Sequence, residues 1–128
     1  MGDILANANW LAVIASLVVG MVLGFIWYNP KFPTGKIWAE GAGVSPEPPE
    51  EFPVVPMALN TLGLILLALF VSATSGMMAV GLLGLCTFGV LLTSGHMFGG
   101  KPISVGVIHI GYWLVTFILM GVVQGILT

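Results

Sequence analysis

Only eight side chains in this 128-residue chain carry a full charge, and they leave uncharged runs at 4–30, 52–100 and 102–128. A chain that is 58% hydrophobic and 6% charged has no polar surface with which to form a soluble globule. A helix needs ~20 mostly apolar residues to cross the hydrocarbon of a bilayer. The two outer runs therefore hold one span each. The middle run holds two, because Thr74-Ser75-Gly76 interrupts it with turn-forming residues. Backbone polar groups in hydrocarbon must be satisfied internally, so a span is a helix or part of a closed barrel. A barrel strand alternates apolar and polar residues; these runs are solidly apolar. The expected fold is all-α: a single domain, a four-transmembrane-helix bundle with spans near 8–28, 57–73, 77–98 and 103–127.

The connection at 30–55 is different in kind. It holds six of the eight prolines and four of the five acidic residues. Pro46-Glu47-Pro48-Pro49 is expected to be extended or irregular. Residues 35–40 have the makings of a short interfacial helix, with Trp38 and Lys36 as anchors at the headgroup level. Pro56 and Pro102 sit just ahead of spans two and four, where a missing N–H costs nothing. All three cations, Lys31, Lys36 and Lys101, fall in the first and third connections. The positive-inside tendency puts those connections in the cytoplasm and both termini outside.

Composition also excludes. With three cationic side chains and a net charge of −2 there is no basic surface for nucleic acid. The single cysteine, Cys86, forms no intramolecular disulfide, and a lone cysteine is no metal site. The first apolar run lacks the basic start and early cleavage site of a secretory signal, and Ala6 breaks the myristoylation pattern.

Span one carries Ala8, Ala12, Ser16, Gly20 and Gly24, one small residue per turn on one helix face. Gly95/Gly99 and Gly121/Gly125 repeat the motif in spans three and four. In lipid, helices associate by close backbone approach, which small residues permit. The stripe serves either packing inside the bundle or a face for a second copy or another membrane protein.

Polar groups inside spans are costly and are the default functional candidates. Asn60, His96, His109 and Tyr112, with Trp27, Tyr28 and Asn29 closing span one, all fall in the cytoplasmic half. Three readings compete: a hydrogen-bonded clasp, a pH-sensitive or ligand-binding pocket, and haem or chlorophyll ligation by His96 or His109. The last is disfavoured because the two histidines are expected to differ by about one helical turn in depth; no cofactor and no metal is expected. Intramembrane hydrolysis would need a nucleophile and a base; Ser94 with His109 is conceivable, but neither sits in a recognisable protease pattern. No Asp, Glu, Lys or Arg lies within a span, which weakens a proton-coupled transporter and leaves no Schiff-base lysine.

Gly24-Phe25-Ile26-Trp27-Tyr28-Asn29-Pro30 followed by Gly35-Lys36-Ile37-Trp38, and His109-Ile110-Gly111-Tyr112-Trp113-Leu114-Val115 through Met120-Gly121, resemble the first-span and last-span signatures of a family of small bacterial membrane proteins. That family is known as domain of unknown function 1761. The resemblance implies four spans and a bacterial inner membrane, and brings no activity. Between its two first-span motifs this chain has Lys31-Phe32-Pro33-Thr34, where family members more often run from Leu-Phe directly into Gly-Lys. The expected role is non-enzymatic: helix packing in the bilayer, as a homo-oligomer or as an accessory subunit of a larger membrane complex. The alternative is a small-molecule transporter, channel or sensor using the His/Asn/Tyr pocket.

Overall fold

The computed structural model describes residues 2–44 and 54–127. The elements are α1 (Gly2–Asn7), α2 (Trp10–Trp27), α3 (Pro33–Ala42), α4 (Val54–Ala73), α5 (Met78–Phe98) and α6 (Ile103–Leu127). Among the described residues there is no strand. Four of the helices, α2, α4, α5 and α6, are long and apolar enough to cross a membrane. This is a multi-pass membrane protein.

The ends of the elements follow from local chemistry. The first span starts at Trp10 rather than at Ala8 because Asn9 caps it: its Oδ1 accepts from the Ala12 N–H at 3.2 Å. The short α1 ahead of that break has no counterpart in the expected spans. At the other end of α2, the Thr34 hydroxyl donates to the carbonyl of Trp27 at 2.6 Å, filling one of the acceptors a helix end leaves open. Pro33 opens α3 and Gly43, in the left-handed region at φ 72°, closes it. The surface helix is therefore longer than the expected 35–40. Helix α4 begins at Val54, so Pro56 lies inside its first turn instead of ahead of it, where no intrahelical donor is needed. The proline-rich stretch 46–49 lies outside the described residues.

Helix α6 is the hub. It packs against α2, α3, α4 and α5, while α2 also lies on α4. Val13, Leu64, Ala68, Leu69, Val71, Tyr112, Phe117 and Met120 form the core where α2, α4 and α6 meet. In the most apolar stretch of α6, 39% of residues are buried, against 11% for α5. So α5 is a flanking helix, and the bundle is a trio with a fourth member on its edge.

The small-residue stripe of α2 is spent on this trio. Ala12 and Ser16 are fully buried, Gly20 is buried, and Ala8 and Gly24 are half-buried. A Cβ on Gly20 would meet Leu64 at 3.0 Å and Met120 at 3.1 Å, and one on Gly24 would meet the Tyr112 hydroxyl at 2.9 Å. The middle of the stripe is therefore taken up by contacts within the chain. Gly95, Gly99 and Gly125 are exposed, and a Cβ on Gly95 or Gly125 would meet nothing. Gly121 faces the end of the Met78 side chain.

A ladder of hydrogen bonds runs down the same α2–α6 seam. Asn9 Nδ2 donates to the Leu127 carbonyl at 3.2 Å, and Gln124 Nε2 donates to Ser16 Oγ at 3.2 Å. Deeper, the Tyr112 hydroxyl donates to the Gly20 carbonyl at 2.7 Å, and Trp27 Nε1 donates to the Ile108 carbonyl at 3.0 Å. Gln124 also reaches the Ala68 carbonyl of α4 at 2.9 Å. The α5–α6 seam is made differently, by shape: Gly81 receives the ring of Phe117, Gly89 receives Ile110, and Thr93 lies on Gly106. The Thr87 and Thr93 hydroxyls bond back to carbonyls of α5 itself.

Candidate functional site

One end of the molecule collects aromatic and imidazole rings from four elements. On α6, His109, Tyr112 and Trp113 share a face through i, i+3 and i+4 spacing. The end of α2 brings Tyr28, α3 brings Trp38, and the last turn of α5 brings His96. Trp113 stacks on His109 with ring centres 5.9 Å apart and planes 16° apart. Tyr28 meets Trp38 edge-on at 5.0 Å and Tyr112 at 5.4 Å. Trp38 reaches His109 at 6.5 Å.

His96 and His109 are neighbours, with ring centres 5.9 Å apart. A separation of this size is compatible with the expected offset of about one helical turn in depth and still brings the two rings within reach of each other. Helix backbones do place the two residues at different levels, but side chains lean toward the N-terminus of their own helix. On two antiparallel helices joined by a short turn, the two rings lean toward each other.

The imidazoles differ in their bonding. His109 Nδ1 and the Tyr28 hydroxyl share a hydrogen bond at 2.5 Å. The phenol donates when the ring proton is on Nε2 and accepts when it is on Nδ1. Tyr28 lies one residue beyond the span; burial, and after it the neighbouring Tyr112, push its phenol above the ordinary range, so it stays protonated at neutral pH. His96 is half-buried, and its Nδ1 is buried with no hydrogen-bond partner among the described residues. Deeper in α6, the Thr116 hydroxyl is buried with no hydrogen-bond partner among the described residues.

The cluster is held shut from one side by α3. Gly35 lies against the Asn29 carbonyl so closely that a Cβ there would run into it. Lys101 Nζ donates to the Ala42 carbonyl at 2.9 Å, tying the end of α3 to the α5–α6 turn. Gly41 fits over Ser104 and Val105 at the start of α6.

Other expected site residues fall elsewhere. Asn60 is exposed on α4 and makes none of the ring contacts or hydrogen bonds of the cluster. Asn29 shapes the turn into α3, its Oδ1 accepting from the Lys31 N–H at 3.0 Å. Trp27 braces the seam, its ring edge against Gly111. Of the two expected interfacial anchors, Lys36 is exposed and Trp38 is drawn inward onto Tyr28. Ser94 lines a groove of about 570 Å³ with Val90, Met97, Ile103 and Val107, and among the described residues the hydrogen bond of His109 is to Tyr28, not to Ser94. The sequence reading did not place Trp38 at the site. The only signal was its position on α3 three residues after Gly35, one helical turn along the same face.

Over residues 11–125 the chain matches a family described as protein of unknown function (DUF1761). The chain belongs to that family. No curated protein and no solved structure matches it. The matched region takes in the second and third spans, nearly all of the first and fourth, and every residue of the cluster, so the histidine pair lies inside the family domain.

Proposed function

We propose that this is a multi-pass protein of the bacterial cytoplasmic membrane that binds a small ligand at His96 and His109, as a sensor or transporter. The observation that supports it most is the convergence of four separate elements on His109: the end of α2 with Tyr28, α3 with Trp38, α5 with His96, and α6 itself. A structural clasp would need one hydrogen bond there; this site holds two imidazoles, one with an unsatisfied nitrogen. The rings around His109 are in mutual contact, so a haem or chlorophyll plane would have to displace one of them. The ligand that fits is small. The lysine-bearing side, which carries the cluster, is the cytoplasmic side by the positive-inside tendency, and both termini are outside.

Thermal unfolding of the detergent-solubilised protein against a panel of small polar molecules and ions tests this. A ligand at a hundred times its Kd stabilises the folded state by about 2.7 kcal/mol. Stabilisers that act on the wild type and not on the His96→Ala, His109→Ala variant support the site. If every stabiliser acts equally on both, the reading falls.

A second reading, assembly with another copy or another membrane protein, is favoured by α5. It buries the smallest share of its length of the four spans, and Leu83, Cys86, Thr87, Phe88 and Leu91 stand exposed on it. Native mass spectrometry of gently extracted protein tests it: a monomer from intact membranes removes it.

A further inference from the structure

We propose that the ligand of the histidine pair is a single monovalent copper ion, held by His96 and His109; this rests on the reading of the cluster as a binding site. The first argument is distance. An imidazole nitrogen binds a first-row ion at ~2.0 Å and lies ~1.2 Å from its ring centre, so two rings on one ion are ~5.2 Å apart at a tetrahedral angle and ~6.4 Å apart when linear. The observed 5.9 Å falls between these limits.

The second argument is the bonding of each ring. His96 Nδ1 is buried with nothing to bond to among the described residues, and a buried polar atom in that condition calls for a missing partner. His109 is fixed through Nδ1 by Tyr28. With the proton on Nδ1, donated to the phenol, the Nε2 lone pair is free for a metal. Such an outer partner is what orients a ligating imidazole.

The third argument selects the ion. Among the described residues no three His, Cys, Asp or Glu side chains converge. Zinc in its usual sites takes three or four protein ligands, which this site does not offer. Two neutral imidazoles bring no compensating charge, and the desolvation cost of an ion rises with the square of its charge, about fourfold from +1 to +2. Monovalent copper is closed-shell, accepts two-coordinate nitrogen ligation, and belongs to the metals imidazole suits. The Trp38, Trp113 and Tyr28 rings pack around His109.

The test uses the full-length protein in nanodiscs, with copper supplied anaerobically in the presence of ascorbate and a coloured monovalent-copper chelator as competitor. One equivalent per chain is expected, with an X-ray absorption edge of two-coordinate, nitrogen-ligated copper(I). His96→Gln and His109→Gln should each weaken binding at least 100-fold, and Tyr28→Phe ~10-fold through loss of ring orientation. Near-UV circular dichroism reports whether each variant keeps its aromatic packing, and added methyl-imidazole restores binding to a folded His96→Gly variant if the pair is the site. Copper bound with unchanged affinity in the Gln variants sits on Cys86 or methionine and overturns the proposal. Preferential binding of zinc overturns the choice of ion. Absence of copper binding, together with a small molecule that stabilises only the wild type, overturns copper and leaves the pocket standing. Absence of both overturns both.

Discussion

The two seams of α6 are built on opposite principles. Toward α2 it is stitched: a small residue on every turn brings the backbones close, and hydrogen bonds recur from Asn9–Leu127 to Tyr28–His109 along the whole length. Toward α5 it is fitted: Phe117 and Ile110 enter the notches left by Gly81 and Gly89, and the polar approach across the seam is that of the two imidazoles. In bilayers an interhelical hydrogen bond is worth ~0.6 kcal/mol on average, and what drives association is mostly close packing. The stitched seam has both contributions, the fitted one only the second. The difference teaches where the molecule can respond. His109 belongs to the α2–α4–α6 trio and His96 to the span that buries the smallest share of its length, so a ligand shared by the two rings favours one placement of α5 over others. A ligand shifts a conformational equilibrium only through such differential contact.

The comparison breaks most easily at the stripe. Gly20→Leu with Gly24→Leu drives side chains into Leu64, Met120 and Tyr112. Overpacking costs about 1–3 kcal/mol per site, so the pair should lower the unfolding temperature sharply, in whatever oligomeric state the protein is isolated. A variant that unfolds like the wild type but loses a partner places the stripe on an outer surface and contradicts the fold described above. A milder break is Gln124→Leu, which strands the Ser16 hydroxyl and the Ala68 carbonyl. Its expected cost is ~1–2 kcal/mol, read by unfolding in mixed micelles; a neutral result means that the ladder adds nothing to close packing. The smallest effect belongs to the outer face of α5. Phe88→Ala should change stability by less than about 0.5 kcal/mol, as for an exposed site free of special contacts; a larger loss in native membranes reveals a covered face.

Much of the architecture was legible because hydrocarbon is so demanding a solvent. Uncharged runs fixed the number of spans, and the fourth span begins and ends where the sequence places it, Ile103 to Leu127. Boundaries failed where a side chain overrode hydropathy: Asn9 capped the first span two residues late, and Pro56 proved acceptable within a first turn. The stripe on α2 was visible, yet its occupant was not. Five small residues announce a close neighbour without saying whether it belongs to the same chain. The glycines that seat α5, Gly81 and Gly89, were not singled out, since a spacing of eight with Leu85 between them does not read as a small-residue motif. At the site, His96, His109, Tyr28 and Tyr112 were named from polarity alone, but Asn60 proved exposed and Trp38 turned inward.

The account turns on the rings of His96 and His109, and the chain has only two histidines. Histidine-selective ¹³C,¹⁵N labelling therefore yields two ring systems, and solid-state NMR of the protein in bilayers reads their proximity directly. The structure predicts a ring-to-ring cross-peak between His96 and His109, lost in His96→Gln. Two resolved imidazole signals with no correlation between them would place the histidines apart and contradict the site.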